Sequence, residues 1–137
     1  MKSRIDQTIE RHNRGYNCAQ AVACTYCDLA GMDEETMFAV TEAMGLGMGS
    51  MEGTCGAVSG ACAVAGMIHS SKNLNQPDSK ASTYQISKAI TQSFLEANGS
   101  LTCKDLKGAK TGKPLRSCSD CIRDAAGLVE KIVLVKD

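Results

Sequence analysis

Eight cysteines stand at positions 18, 24, 27, 55, 62, 103, 118 and 121 of this sequence. Thiolate is the form that ligates soft metals or attacks disulfides, so the local setting of each thiol decides which chemistry is open to it. Four share one setting. Asn17-Cys18, Thr54-Cys55, Thr102-Cys103 and Ser117-Cys118 each place cysteine directly after a residue favoured as a helix N-cap. The pattern predicts each thiol at a first helical position, beside backbone N–H groups with no intrahelical partner and near roughly half a positive charge. A thiol so placed can drop from a pKa of about 8.5 to about 3.5–7.5. Thr102 with Asp105 and Ser117 with Asp120 also resemble capping boxes, with Asp in place of the stronger Glu.

The other four cysteines fall inside helical patterns. Cys24 and Cys62, among Ala, Val and Tyr, read as small apolar packing residues. Two Cys-x-x-Cys pairs, Cys24 with Cys27 and Cys118 with Cys121, offer a competing arrangement. A thioredoxin-type pair needs a preceding strand, which neither has. Zinc pairs of this kind lie about 15–20 residues apart. Here about 90 residues intervene, so only tertiary contact could join them. Cys121 is the natural extra thiol, a spare or exchanging ligand beside Cys118.

Other reactive groups are sparse. His12 and His69 fall near helix C-termini and read as exposed or capping residues, with ligation the alternative. Asp33, Glu42 and Glu52 have no partner at a telling spacing, so no acid–base pair is assigned. The glycine-rich stretch 45–53 lacks the Lys-Ser/Thr ending of a phosphate-binding loop and follows a helix rather than a strand. Met44, Met48 and Met51 read as packing filler, with ligation of a soft metal the alternative. Lys104, Lys107, Lys110, Lys113 and Arg116 form a basic stretch. It is either a solvated loop or a docking face for an acidic redox partner, and its charge favours thiolate at Cys103 and Cys118.

The elements that must position these thiols are helical throughout, with no strand-like alternation. An amphipathic helix over about 3–13 carries Ile5 and Ile9 on one stripe. A second runs from Cys18 to about Ala30, with Gly31 as its stop. Asp33 is expected to cap a third, through about Met44. After the glycine loop, Thr54 is expected to cap a fourth over about 55–70. Its small residues Gly56, Ala57, Gly60, Ala61, Ala65 and Gly66 let a neighbour pack very near and mark it as central. The same small face could mediate a homodimer, but the core of one bundle needs it first. Asp78 is expected to cap a fifth helix to about Ala97, with Ile86, Ala89, Ile90, Phe94 and Ala97 inward. A short helical turn follows Thr102. The final helix begins after Ser117 and turns Ile122, Ala125, Val129, Ile132 and Val133 inward.

These patterns predict an all-α fold, a compact bundle of about five to seven helices forming one domain over 1–137. A chain of 137 residues buries roughly 68–70% of its unfolded surface and needs no covalent staples, so eight cysteines exceed what stability requires. Fifteen basic and fifteen acidic side chains give zero formal charge, which argues against nucleic acid. No apolar run approaches the roughly 18 residues of a membrane span. The start, residues 1–7, lacks the apolar core of a signal peptide. A cytoplasmic chain is therefore expected, where clustered thiols stay reduced and serve metal or redox chemistry.

Cys55-Gly56-Ala57-Val58-Ser59-Gly60, with far-separated single cysteines around it, resembles the C_GCAxxG_C_C family, small bacterial chains named as redox-active. The resemblance also rests on Gly15-Tyr16-Asn17-Cys18, on Leu101-Thr102-Cys103 with Leu106 and Gly108, and on Cys118 before Ile122-Arg123-Asp124-Ala125-Ala126. It implies that the family's four shared cysteines fall on Cys18, Cys55, Cys103 and Cys118, the four that the capping pattern selects. It implies further that they hold an iron–sulfur cluster or another prosthetic group. Four thiolates would hold such a cluster, for electron transfer, or zinc in a structural or binding module. A metal-free thiol/disulfide protein is the remaining reading, with Cys118 paired to Cys121 or Cys103. No catalytic residue beyond these thiols is expected, and the chain is read as a monomer or homodimer.

Overall fold

Polar caps and glycine stops divide the chain into seven helices in the computed structural model, which describes residues 2–135. Met1, Lys136 and Asp137, included in the reading of one domain over 1–137, lie outside the described residues. The helices are α1 (Ile5–Asn13), α2 (Cys18–Tyr26), α3 (Glu34–Thr41), α4 (Gly56–His69), α5 (Lys80–Asn98), α6 (Cys103–Lys107) and α7 (Cys118–Leu128). A 3-10 turn, Cys27–Ala30, carries α2 on to Gly31, and a second, Glu42–Met44, follows α3. A π turn, Val129–Val133, extends α7. The all-α expectation holds, and so does the number of helices.

Three of the expected caps form as the side-chain chemistry requires. The Asn17 side chain accepts the Gln20 backbone N–H at 2.9 Å, and the Gln20 side chain accepts the Asn17 N–H at the same distance. Asp33 caps α3 through the Thr36 N–H, and Ser117 caps α7 through the Asp120 N–H. Three others are corrected. Ser79, not Asp78, precedes α5, because the Asp78 carboxylate is taken by the Ser71 hydroxyl at 2.7 Å. Cys55 itself stands at the N-cap of α4, since Thr54 is held in an antiparallel bridge with Thr102. Asp105 accepts from the Ser100 hydroxyl at 3.0 Å and closes no box with Thr102.

The small-sided α4 lies at the centre, against α2, α5 and α7. A Cβ added at Gly60 would sit 2.7 Å from the Ala19 carbonyl oxygen, and one at Gly56 would sit 3.2 Å from the Ala19 nitrogen. Bare glycine therefore sets how near α2 and α4 lie, and the small face is used within the chain. Around this contact Val22, Val58, Ile90, Phe94, Ile122 and Val129 form the apolar core. Ala97, expected inward on α5, is exposed. The buried neighbour is Asn98, whose amide satisfies itself on the Phe94 carbonyl at 3.2 Å. The fully buried Tyr26 spends its hydroxyl on the Glu130 carboxylate, which links α2 to the extension of α7. Among the described residues, no helix is long and apolar enough to cross a membrane.

Candidate functional site

The fold brings helix starts from four distant parts of the chain to one end of the bundle. Cys18 opens α2, Cys103 opens α6, Cys118 opens α7 and Cys55 caps α4. All four thiols, with Cys121 from the second turn of α7, line one cavity of about 170 Å³. Cys55, Cys103 and Cys121 are buried, while Cys18 and Cys118 are only partly so.

Backbone hydrogen bonds outside the helices set this convergence. The Cys55 N–H donates to the Leu101 carbonyl at 2.7 Å and the Cys103 N–H to the Gly53 carbonyl at 3.1 Å. With the Thr54–Thr102 bridge, these clamp the approach to α4 against the approach to α6. The glycine loop closes over them. Gly47 has φ +58°, and a Cβ there would meet the Cys103 Cβ at 2.7 Å, so only glycine allows both the turn and the contact. On the other side, the Leu115 and Arg116 N–H groups both donate to the Leu106 carbonyl, which returns the basic loop to the cavity just before α7 begins.

The five thiols are not equivalent. Cys18 is coupled to Cys118, and Cys121 to Cys55. Within each couple one thiol is lowered and the other raised. Cys118 falls to about 6 through the Cys18 hydrogen bond, against the cost of burial and with help from Lys107 and His12. Cys55 falls to about 7 through the Cys121 hydrogen bond, also against burial, with the Ala57 and Val58 N–H groups as further donors. The donors Cys18 and Cys121 rise, because losing their protons would break those bonds and place two charges together in a dry site. Burial raises Cys103, with Lys107 opposing. The expectation of four acidic thiols is thus corrected to two. A helix start favours thiolate, but coupling to Cys118 together with burial outweighs it at Cys18, and burial outweighs it at Cys103.

The remaining sequence candidates separate from this site. Cys24 and Cys27 border a different surface cleft with Arg11 and Glu34, so the two Cys-x-x-Cys pairs do not share a cavity. Burial alone raises the Cys62 thiol. Neither Met44, Met48 nor Met51 reaches the cavity lining, whereas Leu46 does. His69 bonds the Val133 carbonyl at 3.0 Å. His12, expected as an exposed or capping residue with ligation the alternative, contacts the Tyr16 carbonyl oxygen through Nδ1 and also lines the cavity. Lys107 and Arg116 also line it, and Lys104 is taken by Glu52 at 3.1 Å. Cys121, expected as the extra thiol beside Cys118, lines the same cavity, and its proton is coupled to Cys55. Among the described residues, no three His, Cys, Asp or Glu side chains gather tightly enough for a single metal ion.

A family model described as "Putative redox-active protein (C_GCAxxG_C_C)" matches residues 16–132, which span every cysteine of the cavity. No curated protein and no solved structure matches the chain.

Proposed function

This chain belongs to the C_GCAxxG_C_C family, and from that premise we propose that its cavity is a redox centre in which Cys18, Cys55, Cys103 and Cys118 hold an iron–sulfur cluster for electron transfer. The observation that carries this reading is the convergence of four thiols from four helix starts on one small cavity. The donor set fits. All the candidate ligands are soft sulfur, and the lining cation Lys107 suits a site that gathers negative charge. When bound, such a cluster supplies one-electron transfer. The chain's own residues do the rest: the buried Leu106 restricts water, and Gly47 and Gly56 keep backbone close to the thiols. The Asn17 and Ser117 caps fix where Cys18 and Cys118 begin their helices.

Lys107 and Arg116 on the cavity lining, with the exposed Lys110 and Lys113 between them in sequence, provide a face for an acidic redox partner, with weak and salt-sensitive association. A reducing compartment such as the cytoplasm would keep the thiols competent. Purification without oxygen, followed by iron, acid-labile sulfide and visible absorbance, tests the reading. Stoichiometric iron and sulfide, lost in Cys55→Ser, are expected. A colourless, iron-free protein would overturn it, and a stoichiometric colourless zinc would favour a structural module instead. The gathering of five thiols on one cavity favours a second reading, thiol–disulfide exchange in the metal-free protein.

A further inference from the structure

We propose that the cleft at the end of α2 is a second metal site, in which Cys24, Cys27 and Met32 take a soft monovalent cation, Cu(I). It stands apart from the thiol cavity and does not depend on what that cavity holds.

The placement comes from how α2 ends. Cys24 lies in its last turn, and Cys27 opens the 3-10 turn that follows. Side chains three residues apart eclipse in a 3-10 turn, so the tightening chain brings Cys24 and Cys27 toward one line. Gly31, at φ +75°, then turns the chain, and the Met32 N–H donates to the Cys27 carbonyl at 3.1 Å. All three residues line one cleft of about 490 Å³, bounded by α1, the end of α2 and the start of α3. Cys24 and Cys27 are buried along it and Met32 is partly buried.

The donor chemistry selects the cation. Every carboxylate on the cleft is already engaged. Asp28 accepts from Arg4 at 2.7 Å, Asp33 caps α3, and Glu34 accepts from Arg11 at 3.0 Å and from the Tyr16 hydroxyl. The thiols, by contrast, make only weak bonds to backbone carbonyls, Cys24 to Glu34 at 3.8 Å and Cys27 to Cys24 at 3.4 Å. The uncommitted donors are therefore two thiols and a thioether, a set that suits Cu(I) and offers nothing to magnesium or calcium. Structural zinc takes four ligands, one more than these sulfurs supply. Burial keeps both thiols protonated. One Cu(I) entering the cleft therefore displaces two protons to solvent and forms two copper–thiolate bonds, with the Met32 sulfur as a neutral third donor. No electron moves. The complex carries one negative charge and forms beside the Arg11–Glu34 pair, whose guanidinium reaches the Thr25 hydroxyl at 3.2 Å.

The test titrates Cu(I), buffered by a chromophoric chelator, into full-length chain purified without oxygen and isotopically labelled at the methionine methyls. The Met32 methyl resonance, assigned through Met32→Leu, should move as Cu(I) is added and come to rest at saturation. The Cys24→Ser, Cys27→Ser double variant leaves all five cavity thiols in place and should bind one Cu(I) fewer per chain. Met32→Leu should keep the full count but weaken that site by about tenfold or more, as loss of a metal-site partner does. Zinc at the same concentration should leave the Met32 methyl where it was. A Met32 methyl unmoved at Cu(I) saturation, or an equal count in the double variant, would overturn the site. Cu(I) taken up by the cavity alone gives that same result and overturns it too. A Met32 methyl that follows zinc as it follows Cu(I) would overturn the choice of cation. Where the double variant fails to fold, the Met32 resonance of the unaltered chain decides.

Discussion

Cys18 and Cys118 are the same side chain at the same helical position, yet the fold drives their acidities apart. Cys118 accepts the Cys18 hydrogen bond and lies beside Lys107 and His12, so its thiolate is the stabilised form. Cys18 would have to give up that bond to ionise, inside a largely buried site. Alkylation by iodoacetamide, followed residue by residue in metal-free reduced protein, should therefore show Cys118 reacting with a midpoint near pH 6. The rate should be flat above that midpoint and fall tenfold per unit below it. In Cys18→Ala the midpoint should move up toward the ordinary thiol value of about 8.5, because the donor is gone. An unchanged midpoint would mean that the helix start and Lys107 act without Cys18. The sequence made Cys118 legible through Ser117 and its place at a helix start. Nothing local in the sequence separates it from Cys18, because the difference lies in which thiol donates across α2 and α7.

At the scale of elements, the contact between α2 and α4 decides whether the thiols can meet. Gly56 and Gly60 hold α4 against Ala19, one residue after Cys18, so the starts of the two helices stay adjacent. A Cβ at Gly60 meets backbone atoms, which cannot swing aside as a flexible side chain would. Gly60→Val should therefore cost about 1–3 kcal/mol in urea unfolding, as overpacking does. Gly66 is the internal control. An added Cβ there has nothing within 4 Å, and Gly66→Ala should hold or raise stability by up to about 1 kcal/mol through helix propensity. The central place of α4 was readable from its small residues. The misplaced caps were not readable, because Ser71 competes for Asp78, Ser100 for Asp105 and Thr102 for Thr54 across intervals no local pattern spans.

At the scale of the whole molecule, the site has no local existence. Its thiols come from residues 18, 55, 103, 118 and 121, so it forms only when α2, α4, α6 and α7 are packed together. Urea unfolding of the reduced metal-free protein should give coincident transitions by far-ultraviolet circular dichroism and by loss of rapid Cys118 alkylation at pH 7. A site lost well before the helices would mean that the cavity end opens on its own. The sequence by itself determined the all-α class, the helix starts that carry Cys18, Cys103 and Cys118, and the small central helix. Apolar periodicity, N-cap chemistry and glycine stops act over a few residues and are written locally. Only the tertiary structure decided that Cys121 joins the site while Cys24, Cys27 and Cys62 stay apart. It alone set Cys18 against Cys118 and Cys55 against Cys121, and made only two of the four helix-start thiols acidic. The physical reason is that a thiol's acidity depends on desolvation and on its neighbours' hydrogen bonds. Those are properties of the packed helix ends, not of any stretch of chain.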